Sequence, residues 1–295
     1  MVPELTYDKF VEILNKNIFG QEKAELIKKV ASYPERYIGL FRPTTPKSKL
    51  LQNIFQSREI RFGNALEEVI REFIKSWGYQ DIPNKKFTYR GEEYDLDQYF
   101  KDNSGTYYFI EQKVRDDHDS TKKRGQMENF KVKLEYLHSK HGDALVGIMY
   151  FIDPSLTKNR NYYLKELETL KRKYPNVDLH LLYGKELFGV LGNEDDWDKL
   201  LEWLKTWKQQ LPEFPEIDLD VNPDESFRQI KDLELRYWDK ICKHEQLWEQ
   251  GIMNVISSKG IVLNMIANDL LNRPTPKAKK IGKMLKQRIN KYYRN

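Results

Sequence analysis

The chain is predicted to fold as an α/β protein, a mixed β-sheet flanked by helices with further helical parts before and after it. Three observations carry that prediction. Apolar runs of strand length, at 143–152 and 177–183, alternate with stretches whose apolar residues recur every three or four positions. Two aromatic, β-favouring segments flank the polar stretch 101–105, as in a hairpin. Finally, 295 residues can bury a substantial core in one or two domains, and 13% aromatic residues argue against disorder although 32% of the chain is charged.

Residues 5–58 read as helical, interrupted around Pro43 and Pro46. A helix over 62–77 follows, with Leu66, Val69 or Ile70, and Phe73 on its apolar face. A strand is expected at 86–89, then hairpin strands over 94–100 and 106–113, with Asn103 and Gly105 supplying positive φ in the turn. Asp119 or Ser120 caps a helix over 120–140, whose stripe is Met127, Phe130, Leu134 and Leu137. The run at 143–152 is a buried strand, 160–173 a helix and 177–183 another strand. The order is αβββαβ followed by a further α and β.

From about Asp195 the pattern is helical and rich in tryptophan, with Pro212, Pro215 and Pro223 marking a linker over 211–224. Phe227, Ile230, Tyr237 or Trp238, Ile241 and Trp248 fit one long amphipathic helix, its aromatics serving as core or dimer interface. The chain thus divides into an N-terminal helical region (1–58), a core (59–192) and a C-terminal helical region with a basic tail (193–295).

No stretch reaches the eighteen or so apolar residues of a membrane span. Residues 1–5 lack the layout of a signal peptide, and the single cysteine, Cys242, fits a reducing compartment, so a cytoplasmic protein is expected. Five histidines, at 118, 138, 141, 180 and 244, are scattered without ligand spacing, which argues against zinc. The net charge of +5 is concentrated at the C-terminus, where 273–295 holds nine Lys or Arg, Lys279 and Lys280 among them, and no acid. Such a basic patch, with Tyr292 and Tyr293, suits contact with phosphate backbones.

The hairpin carries the chemistry. Glu111 and Lys113 share a strand face, as do Asp95 and Asp97, so the turn brings aspartate carboxylates beside a Glu-x-Lys pair. Carboxylates grouped this way repel one another. A divalent cation between them resolves the conflict, and a hard ion such as Mg²⁺ prefers oxygen ligands and retains waters. The lysine then holds or activates a water beside a phosphate.

An aspartate followed 14 or 16 positions later by Glu-x-Lys resembles the PD-(D/E)xK nuclease superfamily. The proline of that motif is absent: Tyr94 precedes Asp95 and Leu96 precedes Asp97. Both aspartates stay in play, with Asp97 slightly favoured because Tyr99 and Phe100 follow it closely. The polar run from Val114 to Gln126 resembles the segment after Glu-x-Lys in a subgroup of type II restriction endonucleases. Gly63 and Glu67 match a glycine and glutamate common in the helix before the active hairpin, and Gly184-Lys185-Glu186-Leu187-Phe188 resembles a segment after the last strand. The resemblance covers residues 60 to about 190.

It implies a restriction-endonuclease-like core and Mg²⁺-dependent cleavage of double-stranded DNA at a short specific site. Asp97, Asp95 and Glu111 are then the metal ligands, with the Gln112 carbonyl added, Lys113 at the attacking water and Glu67 as auxiliary acid. Arg115, Asp116, Asp117, His118, Ser120, Lys122, Lys123, Arg124, Gln126 and Asn129 are the candidate DNA contacts near the scissile site, with Lys279 and Lys280 gripping the backbone from the tail. Palindromic sites are read by two-fold dimers, so a homodimer is expected. A cognate DNA methyltransferase is expected in the same system, not as a stable partner. The rival functions are a structure-specific repair or junction-resolving nuclease, a non-catalytic DNA-binding protein of the same fold, and an unrelated helical interaction protein.

Overall fold

The computed structural model describes residues 4–293 apart from Leu40, Arg42 and Asn84. The N-terminal layout at 1–5 and the end of the basic tail therefore lie partly outside the described residues. In chain order the elements are α1 (Tyr7–Phe19), α2 (Glu22–Ser32), α3 (Pro46–Ser76), β1 (Gln80–Asp81), β2 (Lys86–Tyr89), β3 (Glu92–Asp95), β4 (Gln98–Lys101) and β5 (Tyr107–Lys113). They continue with α4 (Ser120–His141), β6 (Leu145–Phe151), α5 (Arg160–Lys173), β7 (Asp178–Tyr183), α6 (Glu186–Leu191) and α7 (Asp195–Gln209). The last are α8 (Pro223–Ile230), α9 (Leu235–Lys243), α10 (Glu245–Glu249), α11 (Ile252–Ile256), α12 (Ile261–Asn272) and α13 (Pro276–Tyr292). These form two compact units, one of residues 1–14 and 63–211, the other of residues 15–62 and 212–295.

The first unit is built on a five-stranded sheet of order β1-β4-β5-β6-β7. β1, β4 and β5 are antiparallel neighbours, whereas β5, β6 and β7 run parallel. The parallel half follows from its connections, since α4 and α5 each carry the chain back across the sheet between parallel strands. Every residue of β6 is buried, as its unbroken apolar sequence requires of an inner parallel strand. Gly147 in that strand makes room for Phe109, because a Cβ there would come within 2.8 Å of the Phe109 ring and of Leu179. One core gathers Phe109, Met149 and Phe151 with Phe130 and Leu134 of α4 and Tyr163 of α5. A separate aromatic group, Phe73, Trp77, Phe188, Trp197 and Trp203, joins the end of α3 to α6 and α7.

Several expectations are corrected. The expected strand at 86–89 exists, but it pairs with β3 in a separate two-stranded ribbon, and β1 takes its place in the sheet. The expected strand over 94–100 is two strands, β3 and β4, with Leu96 and Asp97 between them. The buried Leu96 and the bond from its N–H to the Lys85 carbonyl at 3.0 Å hold that junction. In the hairpin turn only Gly105 has positive φ, and Asn103 does not. Asp102 organises the turn instead, its Oδ1 accepting from the N–H groups of Ser104 and Thr106, each at 2.9 Å.

The second unit is helical, and its core packs Ile27, Val30 and Ile54 with Trp238, Trp248, Ile266 and Leu285. The single long helix expected over 227–248 is broken into α8, α9 and α10. No proline or glycine lies between Phe227 and Trp248; the breaks stand because side chains take up carbonyls freed there. Arg273 donates to Lys231 O (2.6 Å), Trp248 Nε1 to Ile241 O (2.9 Å) and Arg288 Nε to Cys242 O (2.8 Å).

Candidate active site

β4 and β5 pair Gln98 with Ile110 and Tyr99 with Phe109, so one more step of that register sets Asp97 opposite Glu111. Arg71 of α3 fixes the junction by donating to the Asp97 carbonyl at 3.0 Å. Asp97 Oδ2 in turn accepts from the Gln112 N–H at 2.8 Å, which locks the carboxylate against the strand. Lys113 Nζ then lies among three oxygens: Asp97 Oδ2 at 3.0 Å, Glu111 Oε1 at 2.8 Å and the Gln112 carbonyl at 2.8 Å. The other Glu111 oxygen, Oε2, accepts a bond from Lys133 of α4.

Asp97, Glu111, Gln112 and Lys113 are thus brought together, and Asp95 is not. Asp95 ends β3 opposite Lys86, with its side chain 60% exposed and Lys86 Nζ 3.9 Å away. Glu67, on α3, lies close enough to feel the Asp97, Lys113 and Glu111 charges. Gln98 ties α3 to the sheet there, its amide donating to the Glu67 carbonyl at 2.7 Å. Gly63 lies against Val114 with ordinary room for a Cβ.

The charges are strongly interdependent. Burial raises the Asp97 carboxyl above its usual range, the Glu111 charge adds to that, and Lys113 and Lys133 only partly offset it. Burial acts the same way on Glu111, but a lysine at each oxygen outweighs it and holds this carboxyl low. Burial opposes the charge of Lys113, yet Glu111 and Asp97 more than compensate and keep it firmly an ammonium. Burial, reinforced by the Asp97 charge, pushes Glu67 up to about 7.

Among the described residues no three His, Cys, Asp or Glu side chains are arranged as a metal cage. The converging donors are instead two carboxylates and one carbonyl, already gathered around a cation, the Lys113 ammonium. So few protein oxygens suit Mg²⁺, which keeps most of its waters. The donor set fits that ion, provided the ammonium yields its place.

Lys133 escaped the sequence reading, although a signal was there. It falls on the apolar stripe with Phe130, Leu134 and Leu137, is 4% exposed, and a charge in that position demands a buried counter-charge.

The polar run after Lys113 separates by exposure. Arg115, Asp117, Ser120, Lys122, Arg124 and Asn129 are exposed, whereas His118, Lys123 and Gln126 are half-buried. Lys123 lies over the Tyr162 ring, and Gln126 Oε1 accepts from Tyr163 OH at 2.7 Å. Asp116 is corrected from a DNA contact to an internal anchor. It is 0% exposed and accepts from Asn159 N, Asn159 Nδ2 and Tyr183 OH, each at 2.9 Å. Asp119 caps α4, its carboxylate accepting from Thr121 N and Lys122 N. Lys279 and Lys280 are exposed on α13, in the second unit.

A family model described as type II restriction endonuclease, HinfI, matches residues 6–93 and 80–208. No curated protein gives a significant match. The family match takes in the whole hairpin and well over half of the sequence, and the chain belongs to the HinfI family of type II restriction endonucleases.

Proposed function

We propose that Asp97, Glu111 and Lys113, with the Gln112 carbonyl, form the hydrolytic centre of this site-specific deoxyribonuclease, and that Mg²⁺ is its ion. The observation that carries the proposal is the convergence of three oxygens on Lys113 Nζ within 3.0 Å. Asp97 Oδ2, Glu111 Oε1 and Gln112 O are the atoms that would hold the ion. Bound there, Mg²⁺ supplies Lewis-acid stabilisation of the charge that builds on the phosphate during in-line attack.

The protein groups do the rest. Lys113, released from the carboxylates, turns its ammonium toward the scissile phosphate and orients the attacking water. Glu67, raised to about 7, is suited to accepting a proton from that water near neutral pH. Arg71 and the Gln112 N–H keep Asp97 in place while this happens. The fold is that of the restriction-endonuclease core: α3, then β1, β4 and β5, then α4 and β6 give the order αβββαβ, with the β2–β3 ribbon inserted after β1. Exposed polar groups of the loop before α4 and of its first turns, from Arg115 to Asn129, face the duplex, and two copies of the chain bind a palindromic site. A cognate methyltransferase protects that site in the cell.

Digestion of unmethylated DNA with Mg²⁺, followed by sequencing of the fragment ends, tests activity, site and cut position together. Lys113→Ala is expected to lower cleavage at least a thousandfold while leaving duplex binding within a few-fold. Discrete cutting by the wild type with full activity in Lys113→Ala overturns the assignment.

A further inference from the structure

The family match ends at residue 208, and the C-terminal segment of the second unit, residues 212–295, lies beyond it. Its last helix has an uncommon division of faces. Ala278, Ile281, Gly282, Leu285 and Ile289 are buried, while Lys279, Lys280, Lys283, Gln287 and Asn290 are exposed on the opposite side. The stripe is cationic toward the N-terminal half of the helix and ends in two amides.

Lys277, in the first turn of α13, is exposed as well, whereas four other basic residues of α13 and of the turn before it are occupied. Arg273 pairs with Asp269, Arg288 and Lys291 pair with Glu245, and Lys286 bonds Asn264. Lys279, Lys280 and Lys283 have no hydrogen bond or ion pair among the described residues. Their charges repel one another, and Lys279 stands in the first turn of the helix, where the macrodipole disfavours cations. Nothing within the helix compensates them, since α13 contains no acid. An external polyanion would.

The helix is also mounted rigidly. α12 and α13 are joined by only Arg273, Pro274 and Thr275, and Thr275 caps α13 through the Ala278 N–H. Gly282 sits at their close approach, because a Cβ there would lie 3.0 Å from the Ala267 carbonyl and 3.1 Å from the Leu271 nitrogen. Asp220 anchors the start of α12, accepting from Val262 N and Lys259 N at 2.8 Å each. An exposed cationic helix face of this length fits the width of the major groove of DNA.

We propose that the exposed face of α13 is a second DNA-docking surface, separate from the hydrolytic centre, in which Lys279, Lys280 and Lys283 contact phosphates and Gln287 and Asn290 meet base edges. Lysine suits the phosphate as a point charge, and Asn or Gln side chains match the donor and acceptor pair of adenine. The proposal rests on the chain's being a DNA-cleaving enzyme, so its test reads binding and leaves cleavage to check that premise.

The test compares the full-length wild type with the triple variant Lys279→Gln/Lys280→Gln/Lys283→Gln. Fluorescence anisotropy with a labelled duplex in Ca²⁺, across a salt series, gives the affinities. All three positions are exposed, so the variant's melting temperature should match that of the wild type. The expected result is at least tenfold weaker binding and a salt slope, d log K/d log[salt], reduced in magnitude by about 2.7 for three lost phosphate contacts. Gln287→Ala/Asn290→Ala is expected to keep the salt slope and narrow the affinity gap between cleaved and uncleaved sequences. Wild-type affinity and slope in the triple variant would overturn the proposal, as would wild-type binding to anionic lipid vesicles in preference to duplex DNA.

Discussion

At the residue scale the site is a balanced set of two carboxylates and two ammonium groups: Asp97 and Glu111 against Lys113 and Lys133. The Glu111 charge is worth burying only while both of its oxygens have cationic partners, since a half-paired buried charge is costly. Lys133→Met should therefore destabilise the metal-free protein by about 3 kcal/mol. Mg²⁺ should restore part of that loss if Glu111 is its ligand, because a second cation then replaces the missing one. Urea unfolding with and without Mg²⁺ reads both effects; equal destabilisation in the two conditions would argue that the ion does not reach Glu111. The Glu-x-Lys pair was visible in the sequence because strand alternation fixes which side chains share a face. The choice of aspartate was not, because it depends on a register set by the Asp102 turn and on where β3 ends. Lys133 was hidden for a related reason: its partner lies 22 positions away on another element.

At the element scale, strongly patterned segments read well and short or context-dependent ones did not. α4, α5 and β6 each carry their own period and lie within a few residues of the expected bounds. β1 is two residues long and owes its existence to pairing with β4, so no local pattern announces it. The breaks around α9 depend on Arg273, Arg288 and Trp248 reaching back to free carbonyls, again a non-local cause. α4 also closes on a titratable contact. His141 Nε2 meets Tyr99 OH of β4 at 2.6 Å, its ring stacks on Tyr107 at 3.6 Å, and burial lowers its pKa below the usual 6.5. With the folded-state pKa below the unfolded one, the unfolded chain takes up the proton first as pH falls. The stability is complete above 6.5 and declines below it. Glu67, raised to about 7, acts in the opposite sense over the same range, so the His141 contribution is read as a difference: on acidification below 6.5, His141→Gln should lose less melting temperature than the wild type. A pH slope in His141→Gln equal to that of the wild type would remove His141 from the account, leaving His180, which burial also lowers, and Glu67 to set it.

At the scale of the whole molecule the chain leaves the first unit after residue 14, returns at 63 and leaves again after 211. The first two crossings fall inside helices, α1 and α3, so no Pro- or Gly-rich linker marks them in the sequence, whereas the third falls at Leu211–Pro212, in the proline-marked stretch 211–224. The interleaving has a consequence for any shortened form. The family match covers residues 15–62, but Leu26, Ile27, Val30 and Ile54 in that segment share a core with Trp238, Ile241 and Trp248, which lie beyond the match. A chain ending at Leu211 keeps every residue of the hydrolytic centre and strands those side chains in water, at a cost of about 2 kcal/mol for each one fully exposed. Such a chain should aggregate, or be cut by protease within 15–62, while the sheet stays protected. Limited proteolysis read by mass spectrometry, with full-length protein as control, distinguishes the outcomes. Equal protection of 15–62 in both chains would mean that this segment holds its fold without the C-terminal helices, contrary to the shared core.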